Sequence, residues 1–148
     1  MEENIGTLLA QVSRLLRRSF DARARGIGVT RPQWQVLSLL KLRAGSNQGT
    51  LAEILEVEPI TLGRMIDRLQ EAGLVERRAD PADRRAWRIF LTGMGEELVD
   101  QLVPAARETL DGAMEGVDEI ELETFRSVLV RMRTNMSRKS QADPALDV

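Results

Sequence analysis

The feature that most constrains this chain is a change of hydrophobic period at Gly73. Before it, Leu62, Met65, Ile66 and Leu69 recur at i, i+3, i+4 and i+7, the spacing of one helix face. After it the period falls to two. Leu74, Val75 and the pair Glu76-Arg77 begin a strand, Asp80-Pro81-Ala82-Asp83 is turn chemistry, and Trp87, Ile89 and Leu91 alternate as the return strand. Pro59 suits the first position of the preceding helix, whose outer face offers Ile60, Thr61, Gly63, Arg64, Asp67, Arg68 and Glu71. A shorter helix precedes it: Asn47 can cap it, Leu51, Ala52, Ile54 and Leu55 carry it, and Glu56-Val57-Glu58 turns the chain. A short helix, a tight turn and a second helix polar on its outer face form a helix-turn-helix. Two strands joined by an Arg-bearing loop directly after it make a wing.

Helices flank this unit. Residues 3–25 carry Ile5, Leu8, Leu9, Val12, Leu15, Leu16 and Phe20 at helical steps, and Gly26-Ile27-Gly28 ends the run. Thr30 caps a helix to about Arg43, with Pro32 in its first turn and Trp34, Val36, Leu37 and Leu40 inward. Thr92 caps a long helix to about residue 115, with Leu98, Leu102, Ala106, Leu110 and Met114 on one side and a bend expected at Pro104. A last helix over about 118–138 carries Leu122, Phe125, Leu129, Met132 and Met136, and 139–148 reads as a flexible tail. The expected class is mainly α with a small β-wing. Residues 31–91 form the winged helix-turn-helix lobe, and 1–30 with 92–138 form a helical region.

Composition narrows the chemistry. The 148 residues contain no Cys and no His, which removes disulfides, thiolate metal sites, thiol redox sensing, the commonest general base and the commonest metal ligand. No catalytic set, metal site or cofactor is therefore expected, and an enzyme would have to rest on Asp/Glu pairs, none of which falls in a cleft-like context. No apolar run approaches the roughly 20 residues of a membrane span. The start, Met1-Glu2-Glu3-Asn4, is acidic where a signal peptide would be basic, so a cytoplasmic protein is expected.

The net charge of -2 hides an asymmetry, because residues 1–30 and 31–91 each carry +2 while 92–148 carry -6. Between 77 and 88 stand Arg77, Arg78, Arg84, Arg85 and Arg88 against Asp80 and Asp83 alone. Local field rather than total charge decides phosphate attraction. On charge alone, a solvated loop is the competing reading.

Specific residues resemble the MarR family of bacterial transcription regulators. The run is Leu51-Ala52-Glu53, Thr61-Leu62-Gly63-Arg64-Met65-Ile66-Asp67-Arg68-Leu69, Glu71-Ala72-Gly73-Leu74-Val75-Glu76-Arg77-Arg78, Asp80-Pro81-Ala82-Asp83-Arg84-Arg85-Ala86 and Leu91-Thr92. The Asp-Pro-x-Asp-Arg-Arg wing after Gly-Leu-Val-Glu-Arg is its most specific part. The chain departs from the family at Ile60 and Gly63, where related regulators often carry Ser or Thr, and at Gly93-Met94-Gly95, where a polar, charged start is usual.

The resemblance implies a homodimer whose first and last helices interleave, here through Leu8, Val12, Leu122, Phe125, Leu129 and Met132. By periodicity alone the same stripes could close an intramolecular bundle. The resemblance also implies a ligand-responsive regulator, most often a repressor, on a pseudo-palindromic double-stranded DNA operator. It places Arg85, with Arg84 beside it, in the minor groove, where narrow grooves favour guanidinium groups; an ion pair with Asp83 or Asp67 is the structural alternative. Three apart on the outer face of the second helix, Arg64 can read a guanine bidentately and Thr61 can meet a phosphate or a thymine methyl, with an exposed salt-bridged face as the structural alternative. Arg68 would meet a phosphate or pair with Glu71 or Asp67. Thr30, Arg31 and Gln48 are candidates for backbone contacts at helix amino termini. A small anionic or aromatic effector is expected near Ser13, Arg17, Phe20, Trp34 and Met94, although Phe20 and Trp34 read equally well as core. A winged-helix module that contacts protein instead of DNA is the alternative, and it leaves the Arg-rich wing unexplained.

Overall fold

Side chains that close helix ends fix where the elements begin. A computed structural model describes residues 3–142. It contains α1 (Ile5–Ile27), α2 (Arg31–Leu42), α3 (Gln48–Leu55), α4 (Pro59–Glu71), β1 (Val75–Ala79), β2 (Trp87–Leu91), α5 (Gly93–Ala113) and α6 (Glu119–Ala142). Asn4 and Asn47 accept the backbone N–H groups of Thr7 and Thr50 at 2.9 and 2.8 Å, satisfying donors that α1 and α3 would leave open. The Thr30 N–H donates to Gln33 Oε1 at 2.9 Å at the start of α2. Between α3 and α4 the turn requires a left-handed residue, and Glu56 supplies it at φ 53°. Gly73, at φ 75°, does the same between α4 and β1.

The two strands pair antiparallel, with Val75 opposite Leu91, Arg77 opposite Ile89 and Ala79 opposite Trp87. Thr92 then caps α5 as expected, its Oγ1 accepting the Gly95 N–H at 3.1 Å and donating to the Gly73 carbonyl. The core of the lobe joins Leu37 and Leu40 of α2, Leu51 of α3, Leu62, Ile66 and Leu69 of α4, Val75, Ile89 and Val99. Burying each such side chain contributes about 1.5–3 kcal/mol. This cluster is what holds the helix-turn-helix and the wing in one orientation.

The chain divides after Ala113 into two compact units. In the first, α1 and α2 pack against α5. The face of α5 that does so follows the predicted stripe at Leu98 and Leu102 and departs from it at Leu110. Gly95, Val99, Leu102, Ala105 and Thr109 are buried, while Leu110 is exposed. Small residues let the helix approach closely: a Cβ at position 95 would collide with the Leu74 carbonyl oxygen. The Gly93-Met94-Gly95 departure thus has a physical reason at Gly95.

Most of the predicted stripe of α1 also stays uncovered within the chain, with Ile5 70% and Leu15 55% exposed; the residues α1 buries are Asp21 and Ala24. In the second unit, α6 presents Leu122, Phe125 and Met132 to the surface, with Leu129 half-buried. Two boundaries move. Helix α1 continues through Gly26 to Ile27 before Gly28 stops it, and α6 continues through 139–142, residues expected to be tail. The remainder of that expected tail, 143–148, lies outside the described residues, as do Met1 and Glu2.

Candidate nucleic-acid interface

The strand period sorts the arginines of the wing. Residues 75, 77 and 79 share one face of β1, so Arg77 follows the buried Val75 inward. Its guanidinium ties the wing to both helices of the helix-turn-helix. It donates to Gln70 Oε1 at 2.7 Å, Gln48 Oε1 at 3.3 Å and the Gly63 carbonyl at 3.3 Å, and it pairs with Asp67 at 2.6 Å. Gly63 fits this arrangement: a Cβ there would lie 3.1 Å from Gln48 Nε2. On the other face of the sheet Arg78 pairs with Glu76 and covers the Phe90 ring at 4.1 Å. Arg88 donates to the Gly45 carbonyl at 3.0 Å.

Arg84 and Arg85 remain. Both are exposed in the loop between the strands, and among the described residues neither forms an ion pair. The two aspartates of the loop shape its backbone instead. Asp80 accepts the Ala82 N–H at 2.9 Å and Asp83 accepts the Arg85 N–H at 3.0 Å, so both act as turn residues. Asp67, the other candidate partner for Arg85, is engaged by Arg77.

On α4 the buried stripe is Leu62, Ile66 and Leu69; Thr61, Arg64 and Arg68 are exposed. Arg68 forms no ion pair with Glu71 or Asp67 among the described residues. The supporting positions divide. Thr30 is exposed at the start of α2, whereas Gln48 is half-buried and bonded to Arg77. Arg31 is tied inward, its Nε donating to Asp21 Oδ2 at 2.7 Å. By charge alone Arg77 is one more basic residue of the wing; its place two residues after Val75 is the signal that it faces inward.

The expected effector residues are partly assembled. A cavity of about 270 Å³ is lined by Leu16, Arg17, Phe20, Trp34, Ser38, Ala106, Thr109 and Leu110. Phe20 meets Trp34 edge-on at 4.7 Å. Ser13 is off the lining and accepts from Arg17 at 3.5 Å, while Met94 is 60% exposed and does not line the cavity. Ser38 and Thr109 were not anticipated. Trp34, which lines the cavity, donates its Nε1–H to Asp21 Oδ1 at 2.8 Å. The Arg31 guanidinium bonded to Asp21 holds this carboxyl below its ordinary range against the opposing effect of burial, and the indole N–H adds to the depression.

A helix-turn-helix braced to a two-stranded wing, with arginines exposed on the outer helix and at the wing tip, defines a winged helix-turn-helix protein. Comparison with known proteins gives the family. The MarR family model matches residues 29–87. A MarR-family transcriptional regulator from Silicibacter pomeroyi is 30% identical, with 86% of each chain covered and a TM-score of 0.75. The transcriptional regulator PA3341 is 36% identical over 91% of this chain and 99% of its own, with a TM-score of 0.79. The crystal structure of MarR is 25% identical over 96% and 97%, with a TM-score of 0.84. The chain belongs to the MarR family of transcriptional regulators.

Proposed function

We propose that this protein is a homodimeric, ligand-responsive repressor that binds a pseudo-palindromic DNA operator in the cytoplasm. The observation that carries the reading is the sorting of arginines. Arg77, Arg78 and Arg88 are held by protein partners, while Arg64, Arg68, Arg84 and Arg85 stand exposed without carboxylate partners among the described residues. Arg64 and Thr61 enter the major groove, Arg85 enters the adjacent minor groove with Arg84 beside it, and Arg68 and Thr30 meet backbone phosphates. Gln48 acts through Arg77.

Residues 31–91 form the DNA-binding lobe, and 1–30 with 92–138 form the dimerisation region. The exposed apolar side chains Leu8 and Val12 of α1, and Leu122, Phe125 and Met132 of α6, support that assignment; Leu129 lies on the same helix. The effector site is the cavity at Arg17, Phe20 and Trp34, where a guanidinium beside two rings suits an anionic aromatic ligand. Ser13 serves by holding Arg17, and Met94 drops from the set.

The test is enrichment of duplexes from a random-sequence pool by the purified protein. Enriched duplexes are expected to share two inverted half-sites about one helical turn apart. A protein that enriches no duplex, and whose Arg64→Ala and Arg85→Ala variants behave as the parent does, would favour the protein-interaction module.

A further inference from the structure

The outer face of α4 carries an apolar group that neither the fold nor the assignments above use. Ile60 is 73% exposed in the first turn. It lies opposite the buried stripe of Leu62, Ile66 and Leu69, and Arg64, four residues on, is its neighbour one turn along the same face. The carboxyl end of that face is less suited to base contact: Asp67 is bound by Arg77, and Glu71 is acidic. The first turns of the helix are therefore the ones that meet base edges, as is usual for recognition helices. Ile60 stands in the first of these turns, beside Thr61.

We propose that Ile60 is a specificity-determining residue that reads the C5-methyl group of a thymine in the major groove. The inference rests on the DNA-binding reading above. Thymine is the one base whose major-groove edge presents an apolar group. Against that methyl, Ile60 loses water from apolar surface on both sides; against any other edge it would cover hydrogen-bonding groups without satisfying them. The spacing adds a constraint. Four helical residues rise about 6 Å, which spans about two base-pair steps, so the thymine lies within about two base pairs of the base that Arg64 meets.

The experiment enriches operator duplexes with the full-length protein and with Ile60→Ala, then replaces thymines of the parent's consensus one at a time by deoxyuridine, which removes the methyl alone. At one thymine per half-site the parent is expected to lose about fourfold in affinity, or about fifteenfold for both half-sites together, by the value of one buried methylene-sized group. Ile60→Ala is expected to melt with the parent, to bind thymine and deoxyuridine duplexes equally, and to lose the thymine preference in selection. Ile60→Val, which keeps both branches, is expected to retain the deoxyuridine penalty. Identical consensus sequences for the parent and Ile60→Ala, or no deoxyuridine penalty at any thymine, would overturn the proposal while leaving DNA binding intact. Failure of the parent to enrich any duplex would overturn the DNA-binding reading, and this inference with it.

Discussion

A buried carboxylate needs partners, and Asp21 has two: the Arg31 guanidinium and the Trp34 indole N–H. Removing it leaves the indole N–H without its acceptor and Arg31 without its counter-charge, so Asp21→Ala is expected to cost about 1–3 kcal/mol in a denaturant titration. The pH dependence has a definite sign. The folded carboxyl titrates below its unfolded value of about 3.9, so its contribution is complete above that value and disappears as the pH falls through the folded one. The melting-temperature gap between the parent and Asp21→Asn is accordingly expected to be constant from about pH 5 to 8 and to shrink below about pH 4. A gap that persists unchanged into acid would contradict the ion-pair account. None of this is visible in the periodicity of α1, where Asp21 is a lone acid between Phe20 and Ala22, and its partners come from the next helix. The exposure of Thr61, Arg64 and Arg85 was legible, because it follows directly from helix face and turn position.

At the scale of elements, Arg77 joins β1 to α3 and α4, and it fixes the angle at which wing and recognition helix are presented together. Arg77→Ala is expected both to lower the melting temperature and to weaken operator binding. Arg85→Ala is expected to weaken binding alone, because its side chain has no ion-pair partner among the described residues to lose. Equal melting temperatures for parent and Arg77→Ala would remove the brace from this account. Gly95→Ala tests the approach of α5 to the β1 end: one methyl directed at the Leu74 carbonyl is expected to cost about 1–3 kcal/mol, seen as a lower denaturation midpoint. Helix and strand order was legible from caps, Pro59, Gly73 and the change of period. The buried face of α5 was legible only in part. Leu98 and Leu102 of its leucine stripe pack inward and Leu110 does not, while the rest of the packed surface is built of Gly95, Val99, Ala105 and Thr109, where close approach leaves little hydrophobic signal in a sequence.

For the whole molecule, the exposed apolar faces of α1 and α6 call for a partner, and the partner we propose is a second copy of the chain. Sedimentation at micromolar concentration is expected to give twice 16.6 kDa, and Leu129→Glu is expected to reduce this mass or unfold the protein. A folded monomer from the parent would contradict the dimer. Ligand response carries its own constraint: an anionic aromatic compound that weakens operator affinity must itself bind less tightly to the DNA complex by the same factor. The claim on which all of this depends is that exposed arginines of α4 and the wing contact DNA. The salt dependence of affinity, measured on the enriched operator and on random duplex for the parent, Arg64→Ala and Arg85→Ala, tests it most directly. Arg85→Ala is expected to flatten the slope of log affinity against log salt by about 2 for a dimer that loses one contact per half-site. Arg64→Ala is expected to lose about 1–3 kcal/mol per half-site on the operator and much less on random duplex. Variants that melt with the parent yet keep its affinity, its salt slope and its preference for the operator would contradict the account.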